Sequence, residues 1–285
     1  MIVITGATGQ LGRLVIASLL KKVPASRIVA AVRNPDKAKD LATLGVQVRQ
    51  ADYNSPDTWE GALAGAEKVL LISSSEVGQR IDQHRTVIDA AKKAGVKLLA
   101  YTSLLRADST PLGLGAEHIA TETLIRESGV PFVVLRNGWY TENYAASIPP
   151  AVEHGSFYGC AGEGRIASAA RADYAEAAVA VLTTEGQEGR IYELGGDTSY
   201  TLTEFAAEIS RQYGKQVNYV NLSEPEFKNL LVSVGLPEPF AALLADSDSG
   251  ATKGGLFDDG HQLSSLIGRA TTAMDAVIAQ GKAGA

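Results

Sequence analysis

Three glycines at three-residue spacing, Gly6, Gly9 and Gly12, stand near the start of the chain. A short apolar run, Ile2 to Ile4, precedes them, and Leu11, Leu14, Val15 and Leu19 follow at helical spacing. Strand, glycine turn and helix in that order suit a dinucleotide pyrophosphate. Gly6 allows a sharp turn, Gly9 lets backbone approach the phosphates, and Gly12 lets the helix pack close to its strand. The amides that open the helix lack intrahelical partners and face the phosphates. Gly6, Gly9 and Gly12, with the segment Thr8 to Leu11 just after the strand, are therefore where a cofactor is expected.

Further polar residues follow the apolar runs. The second run ends Val32-Arg33-Asn34, with no acid to bond a ribose 2′-hydroxyl. An arginine there accommodates a 2′-phosphate, because its fork donates two parallel hydrogen bonds, so NADP(H) is expected over NAD(H). Asp52 follows the third run and could accept from an adenine amino group; an Asx turn is the alternative. Ser73, Ser74 and Ser75 end the fourth run, where small hydroxyl residues could donate to ribose or phosphate, or form a solvated loop. After the sixth run, Asn137 could bond a carboxamide or ribose. Gly138 permits close approach, and Trp139 or Tyr140 could offer a stacking face unless both are simply core.

One arrangement is missing. Oxidoreductases of this architecture that act on alcohols and carbonyls use a tyrosine with a lysine four residues on as proton donor. None of the ten tyrosines has that lysine. The helix that should carry the pair has His118 instead, either a proton donor or a structural residue. His118 and Tyr140 are the two candidates for a catalytic role. A hydride acceptor that needs no acid at the moment of transfer fits best. Quinones qualify, since hydride addition gives a stabilised hydroquinone anion that water protonates; conjugated cationic dyes qualify too. The cofactor supplies the hydride, and the protein supplies position and a dry cleft.

The elements that must position these groups alternate. Apolar runs at Ile28 to Val32, Val46 to Arg49, Val69 to Ile72, Leu98 to Thr102 and Phe132 to Leu135 read as strands. Helical patterns separate them, at about Gln10–Lys22, from Asn34-Pro35 to Gly45, after Ser55-Pro56, about Gln79–Ala94, and Glu117–Ser128. The pattern predicts an α/β, doubly wound, mostly parallel sheet with ligands beyond the carboxyl ends of its strands. Residues 1–140 form the expected cofactor-binding core, with 165–195 returning to it; 141–164 and 196–285 form a smaller α/β lobe for substrate. Pro149-Pro150 is expected to break the chain, and the polar, glycine-rich stretch Ser247–Gly255 to form a mobile loop. Thr201 with Glu204 and Ser223 with Glu226 read as capping boxes.

Composition narrows the partners. The 285 residues carry a net charge of −6 with no basic run, so nucleic acid is not expected. A single cysteine, Cys160, excludes an internal disulfide framework and, with four scattered histidines, leaves no metal cluster to build. No apolar run approaches ~18 residues and no presequence is evident, which predicts a cytoplasmic protein without a membrane span. The oligomeric state, monomer or dimer, is not legible.

Together, residues 5–12 (TGATGQLG), Val32-Arg33-Asn34, Ala51-Asp52-Tyr53 and residues 135–140 (LRNGWY) resemble the NmrA-like group of atypical short-chain dehydrogenases. Residues 71–80 (LISSSEVGQR) and 245–259 look very like its branch of bacterial NAD(P)H:quinone oxidoreductases, type 2; dye reductases are similar but diverge after the fourth strand. The resemblance implies NADPH-dependent two-electron reduction of quinones by direct hydride transfer, with neither flavin nor metal. It carries cofactor contacts over to Gly6–Leu11, Arg33, Ser73–Ser75, and Asn137, Gly138, Trp139, Tyr140, Thr141 and Glu142, and more weakly to Arg171. Some relatives place a lysine near position 118, where this chain has His118. An NADP(H)-reading redox sensor of the same group is the alternative, as is a reductase of conjugated dyes.

Overall fold

The structure is a computed structural model that describes residues 1–283. In chain order its elements are β1 (Ile2–Ile4), α1 (Gln10–Leu19), β2 (Ile28–Val32), α2 (Lys39–Thr43), β3 (Gln47–Gln50), α3 (Thr58–Ala62) and β4 (Lys68–Leu71). There follow α4 (Arg80–Lys93), β5 (Leu98–Leu104), α5 (Gly115–Ser128), β6 (Phe132–Asn137), α6 (Glu142–Ala145), α7 (Ile148–His154) and β7 (Ser156–Gly159). The chain continues through α8 (Arg171–Thr183), β8 (Ile191–Leu194), α9 (Leu202–Tyr213), β9 (Asn218–Asn221), α10 (Glu224–Ser233), α11 (Glu238–Ala251), α12 (Gln262–Ile267) and α13 (Met274–Ala283). Two compact units result. Unit one holds Met1–Ala107, Ala116–Asn137 and Ala172–Tyr192; unit two holds Asp108–Gly115, Gly138–Arg171 and the chain from Glu193 onward.

Seven strands form one sheet in the order β3-β2-β1-β4-β5-β6-β8, and the pairs from β3 to β6 are parallel. All residues of β1, β2 and β5 are buried, as expected of parallel strands covered on both faces. Edge strand β3 carries Gln47, Arg49 and Gln50 and is only half-buried, which discourages pairing with another chain. Helix α1 buries Leu11, Val15, Ile16 and Leu19, each contributing about 1.5–3 kcal/mol. Strand order reverses between β1 and β4. A crevice opens beyond the strand ends at such a switch point, so the segments after β1 and β4 are the ones placed to bind.

Unit two contains a two-stranded parallel sheet, β7 with β9. Phe157 of β7 packs on Phe205 of α9 at 5.3 Å between ring centroids, and Tyr144 packs on both. Both expected capping boxes are present, at Thr201/Glu204 and Ser223/Glu226.

Several expectations need correction. Helix α1 stops at Leu19, and Lys21 and Lys22 lie in the turn beyond it. The segment from Pro35 begins as a 3-10 turn, capped by the Asn34 side chain, before α2. Pro149 and Pro150 occupy the first turn of α7, where a missing N–H loses no bond. Arg136 and Asn137 belong to β6, because a buried carboxylate satisfies the arginine inside the sheet. Ser247–Ala251 is the last part of α11 and not a loop. Asp248, 3% exposed, accepts from Tyr144 Oη (2.8 Å) and the Cys160 amide (2.7 Å), which fixes that segment. Burial pushes the Asp248 pKa up. Among the described residues no helix is long and apolar enough to cross a membrane.

Candidate functional site

The turn after β1 is made of backbone. Gly6 has φ +56°, and the Gly9 amide donates to Gly6 O at 2.9 Å. The Arg13 amide donates to Gly9 O, so the amides of Gln10, Leu11 and Gly12 precede the first intrahelical bond. A Cβ on Gly12 would sit 2.5 Å from Gly6 O and 2.8 Å from Ala7 Cα. The helix therefore lies against the turn as closely as glycine permits.

Thr5 and Tyr53 fix this turn to the end of β4. Tyr53 Oη donates to Ile72 O (2.8 Å), so it must accept from Thr5 Oγ1 (2.6 Å), which itself accepts from the Ile72 amide (2.9 Å). Each hydroxyl proton has one assignment. Burial raises the Tyr53 pKa and keeps the phenol protonated.

The segment after β4 is held differently, by side chains from distant elements. The Ser73 amide donates to Thr102 Oγ1 and the Ser74 amide to His84 Nε2, both at 2.9 Å. Arg80 Nε donates to Ser74 O, and the Gly78 amide to Glu117 Oε1 (2.8 Å). His84 Nε2 accepts, so its proton is on Nδ1 and is given to Thr121 Oγ1 (2.9 Å), which donates to Glu117 O. Burial, with the Arg80 charge, lowers the His84 pKa to about 3, so the ring is neutral.

The glycine turn and the β4 segment line one cavity of ≈ 400 Å³, with Gly6, Thr8–Leu11, Arg33, Asp52 and Ser73–Ser75 on its wall. Ala7 is fully buried beneath the turn. The Arg33 side chain is 72% exposed and stands 3.6 Å from Glu76 Oε1. Asp52 takes the Asx-turn role, with Oδ1 accepting from the Asn54 amide at 3.0 Å, while still facing the cavity. Sequence reasoning missed Tyr53, Asn54, Glu76 and Gln83, which share this wall. Gln83 lies in a polar helix that gives no hint of a side chain only 2% exposed.

The second group of expected residues begins at the end of β6. Arg136 and Arg126 converge on Glu122, which is fully buried and also accepts from Ser103 Oγ (2.7 Å). Burial alone would raise the Glu122 pKa; the bonds from Arg136 and Ser103 outweigh it and hold the carboxyl below its ordinary value. Asn137, 5% exposed, is thereby set at the strand end. Gly138 to Glu142 and Arg171 lie in unit two. The Gly138 amide donates to Leu194 O (2.7 Å), and the Thr141 hydroxyl meets Ser168 Oγ (2.7 Å). Glu142 accepts the Arg171 amide on both oxygens, at 2.9 and 3.0 Å, and the Arg171 guanidinium lies 4.8 Å from the Tyr140 ring centroid. Tyr140, Glu142 and Arg171 thus form one half-buried group. Trp139 is 8% exposed and packs near Tyr144.

His118 lies in the core of unit one, 5% exposed, with Nδ1 bonded to Tyr101 Oη at 2.8 Å. Burial first, then the nearby Arg80, lowers its pKa to about 3. It is neutral near pH 7 and holds no acidic second proton. Among the described residues no cluster of three His, Cys, Asp or Glu side chains could hold a metal ion.

A glycine cradle at a switch point, with an arginine on the same wall, is the arrangement expected of a nicotinamide-dinucleotide site. Residues 6–185 match the family model described as NAD(P)H-binding, and the chain belongs to that family. It is 62% identical over 274 residues to quinone oxidoreductase 2 of Escherichia coli K12, covering 96% of each chain. The crystal structure of the E. coli NADPH-dependent quinone oxidoreductase complexed with NADPH superposes with a TM-score of 0.96 at 61% identity, over 98% of this chain and 99% of that one. The Citrobacter triphenylmethane reductase complexed with NADP(H) gives 0.95 at 41% identity, over 99% and 100%. The chain is also 32% identical, over 79% of its length and 75% of the relative's, to an NmrA-like family domain-containing oxidoreductase of Aspergillus flavus, so the NmrA-like group read from the sequence holds.

Proposed function

We propose that this chain is an NADPH-dependent quinone reductase that works by direct hydride transfer, without flavin. One observation carries the reading: the glycine cradle and Arg33 line a single cavity. The 62% identity to an E. coli quinone oxidoreductase supports a quinone as acceptor.

The residues fit the dinucleotide. The turn has no room for a Cβ at Gly12, and the amides of Gln10 to Gly12 are oriented at the helix start for a pyrophosphate. Arg33 presents a guanidinium that can bond a 2′-phosphate in two places. The hydroxyls of Ser73 to Ser75 supply further donors, and Asp52 contributes an acceptor on the adenine side. We further assign ligand contact to Asn137 through Glu142 and to Arg171, on the family resemblance, with the Tyr140 ring as a flat surface.

When bound, NADPH supplies the hydride. The chain's contribution is orientation and exclusion of water. We assign His118 to bracing Tyr101, because a neutral, buried imidazole offers no acid. Tyr140 is the remaining side chain for contact with an acceptor. The proton needed after transfer comes from water, which suits a quinone and not a simple ketone.

Initial rates of NADPH oxidation with a soluble benzoquinone, a triphenylmethane dye and an aliphatic ketone test this. The quinone should be reduced fastest and the ketone not at all. Preference for the dye would make the chain a dye reductase; binding without turnover would make it a cofactor sensor.

A further inference from the structure

The arginine that is to hold the 2′-phosphate already has an anion beside it. Glu76 Oε1 lies 3.6 Å from Arg33 Nη1, and both side chains face the cofactor cavity. Glu76 is not there by chance rotation. Its other oxygen, Oε2, accepts from Gln83 Nε2 at 2.9 Å. Gln83 is 2% exposed, and the same nitrogen donates to Asn54 Oδ1 at 3.1 Å, so two acceptors fix which way its amide faces. The Glu76 amide donates to Ser74 Oγ at 3.1 Å, and Ser74 is itself held by His84 and Arg80. The carboxylate therefore stands on a braced loop, aimed at the arginine.

The two nicotinamide dinucleotides meet this carboxylate in opposite ways. A 2′-phosphate on Arg33 brings like charge up to Glu76 and must displace it or accept the repulsion. A 2′-hydroxyl in the same place is a donor, and a carboxylate is its natural acceptor. We propose that Glu76 is a specificity-determining residue that lowers the preference for NADPH over NADH by occupying Arg33 and accepting from the ribose of NADH. This rests on the cofactor reading given above.

Dissociation constants for NADPH and NADH, measured by titration on the full-length wild type, Glu76→Gln and Arg33→Ala, test it. Glu76 is a partly exposed loop side chain, and thermal melting of each variant checks that the fold is retained. Glu76→Gln keeps the bond to Gln83 but removes the charge. It should tighten NADPH about two- to fivefold, the range of a partly exposed ion pair, and leave NADH equal or weaker. The NADPH preference should therefore rise, most clearly at low ionic strength. An unchanged or reduced preference in Glu76→Gln, with Arg33→Ala still losing NADPH selectively, would overturn this inference alone. A wild type that binds neither cofactor, or an Arg33→Ala that binds NADPH normally, would overturn the cofactor reading and this inference with it.

Discussion

Two segments line the same cavity and are built on opposite plans. The turn from Gly6 to Leu11 is shaped by its own backbone: a positive φ at Gly6, a bond from Gly9 to Gly6, and the absence of a Cβ at Gly12. The segment from Ser73 to Gly78 has a few bonds of its own, among them the Glu76 amide to Ser74 Oγ and the Val77 amide to Ser75 O, but leans on braces from outside. Thr102, Arg80, His84 and Glu117, from β5, α4 and α5, hold its backbone in place. A phosphate cradle must use main-chain amides, so the chain spends glycines there. A loop that presents hydroxyls and a carboxylate can be held from behind. The first plan tolerates no added atom at Gly12, and the second should loosen when a brace is removed.

The largest effect should come from breaking the first plan. Gly12→Val forces the helix from the turn. We expect NADPH binding to fall by on the order of 100-fold, with about 1–3 kcal/mol lost from stability. Cofactor titration and denaturant unfolding measure both. Arg33→Ala leaves both segments intact and should weaken NADPH about 10- to 100-fold while NADH binding stays within about twofold. Equal losses for both cofactors would remove the 2′-phosphate role.

The second plan predicts smaller, distributed effects. His84→Ala leaves the Ser74 amide without its acceptor and takes one donor from Thr121 Oγ1, and should cost about 1–3 kcal/mol. NADPH affinity should fall less than tenfold, because the glycine turn is untouched. A loss as large as that of Gly12→Val would erase the distinction between the segments. The smallest effect is on pH dependence. His84 is held neutral, with a folded pKa of about 3 against an ordinary 6.5. Below pH 6.5 the unfolded chain therefore binds more protons, and stability falls as pH drops toward 3. The slope from this residue should be about 1 kcal/mol per pH unit. Denaturant unfolding at pH 7, 6 and 5 should show a shallower decline in His84→Asn than in wild type.

What could be read in the sequence follows the same division. The βαβ alternation, the glycine turn and both capping boxes depend on neighbours in the chain, so their residues announce them. Arg33 was legible because a strand end with no acid is a local fact. Glu76 beside Arg33 and Thr102 under Ser73 join residues far apart in sequence, and no spacing reveals them; Gln83 reaches Glu76 from seven residues on, at a separation no helix or strand repeat singles out. Polar sequence misled where distant partners satisfy it. Arg136 enters β6 because Glu122 awaits it, and Ser247 to Ala251 is helical because Tyr144 and the Cys160 amide satisfy Asp248. His118 is a lone histidine where some relatives carry a lysine, and the fold buries it against Tyr101.

The central claim is hydride transfer from NADPH to a quinone with no other redox group. The most direct measurement is the rate of NADPH oxidation by protein verified to be free of flavin, with and without a soluble benzoquinone, repeated with NADH. The account predicts rapid, quinone-dependent loss of NADPH that added flavin does not accelerate, and slower loss of NADH. NADPH binding with no turnover by any quinone, or turnover only after flavin is added, would contradict it.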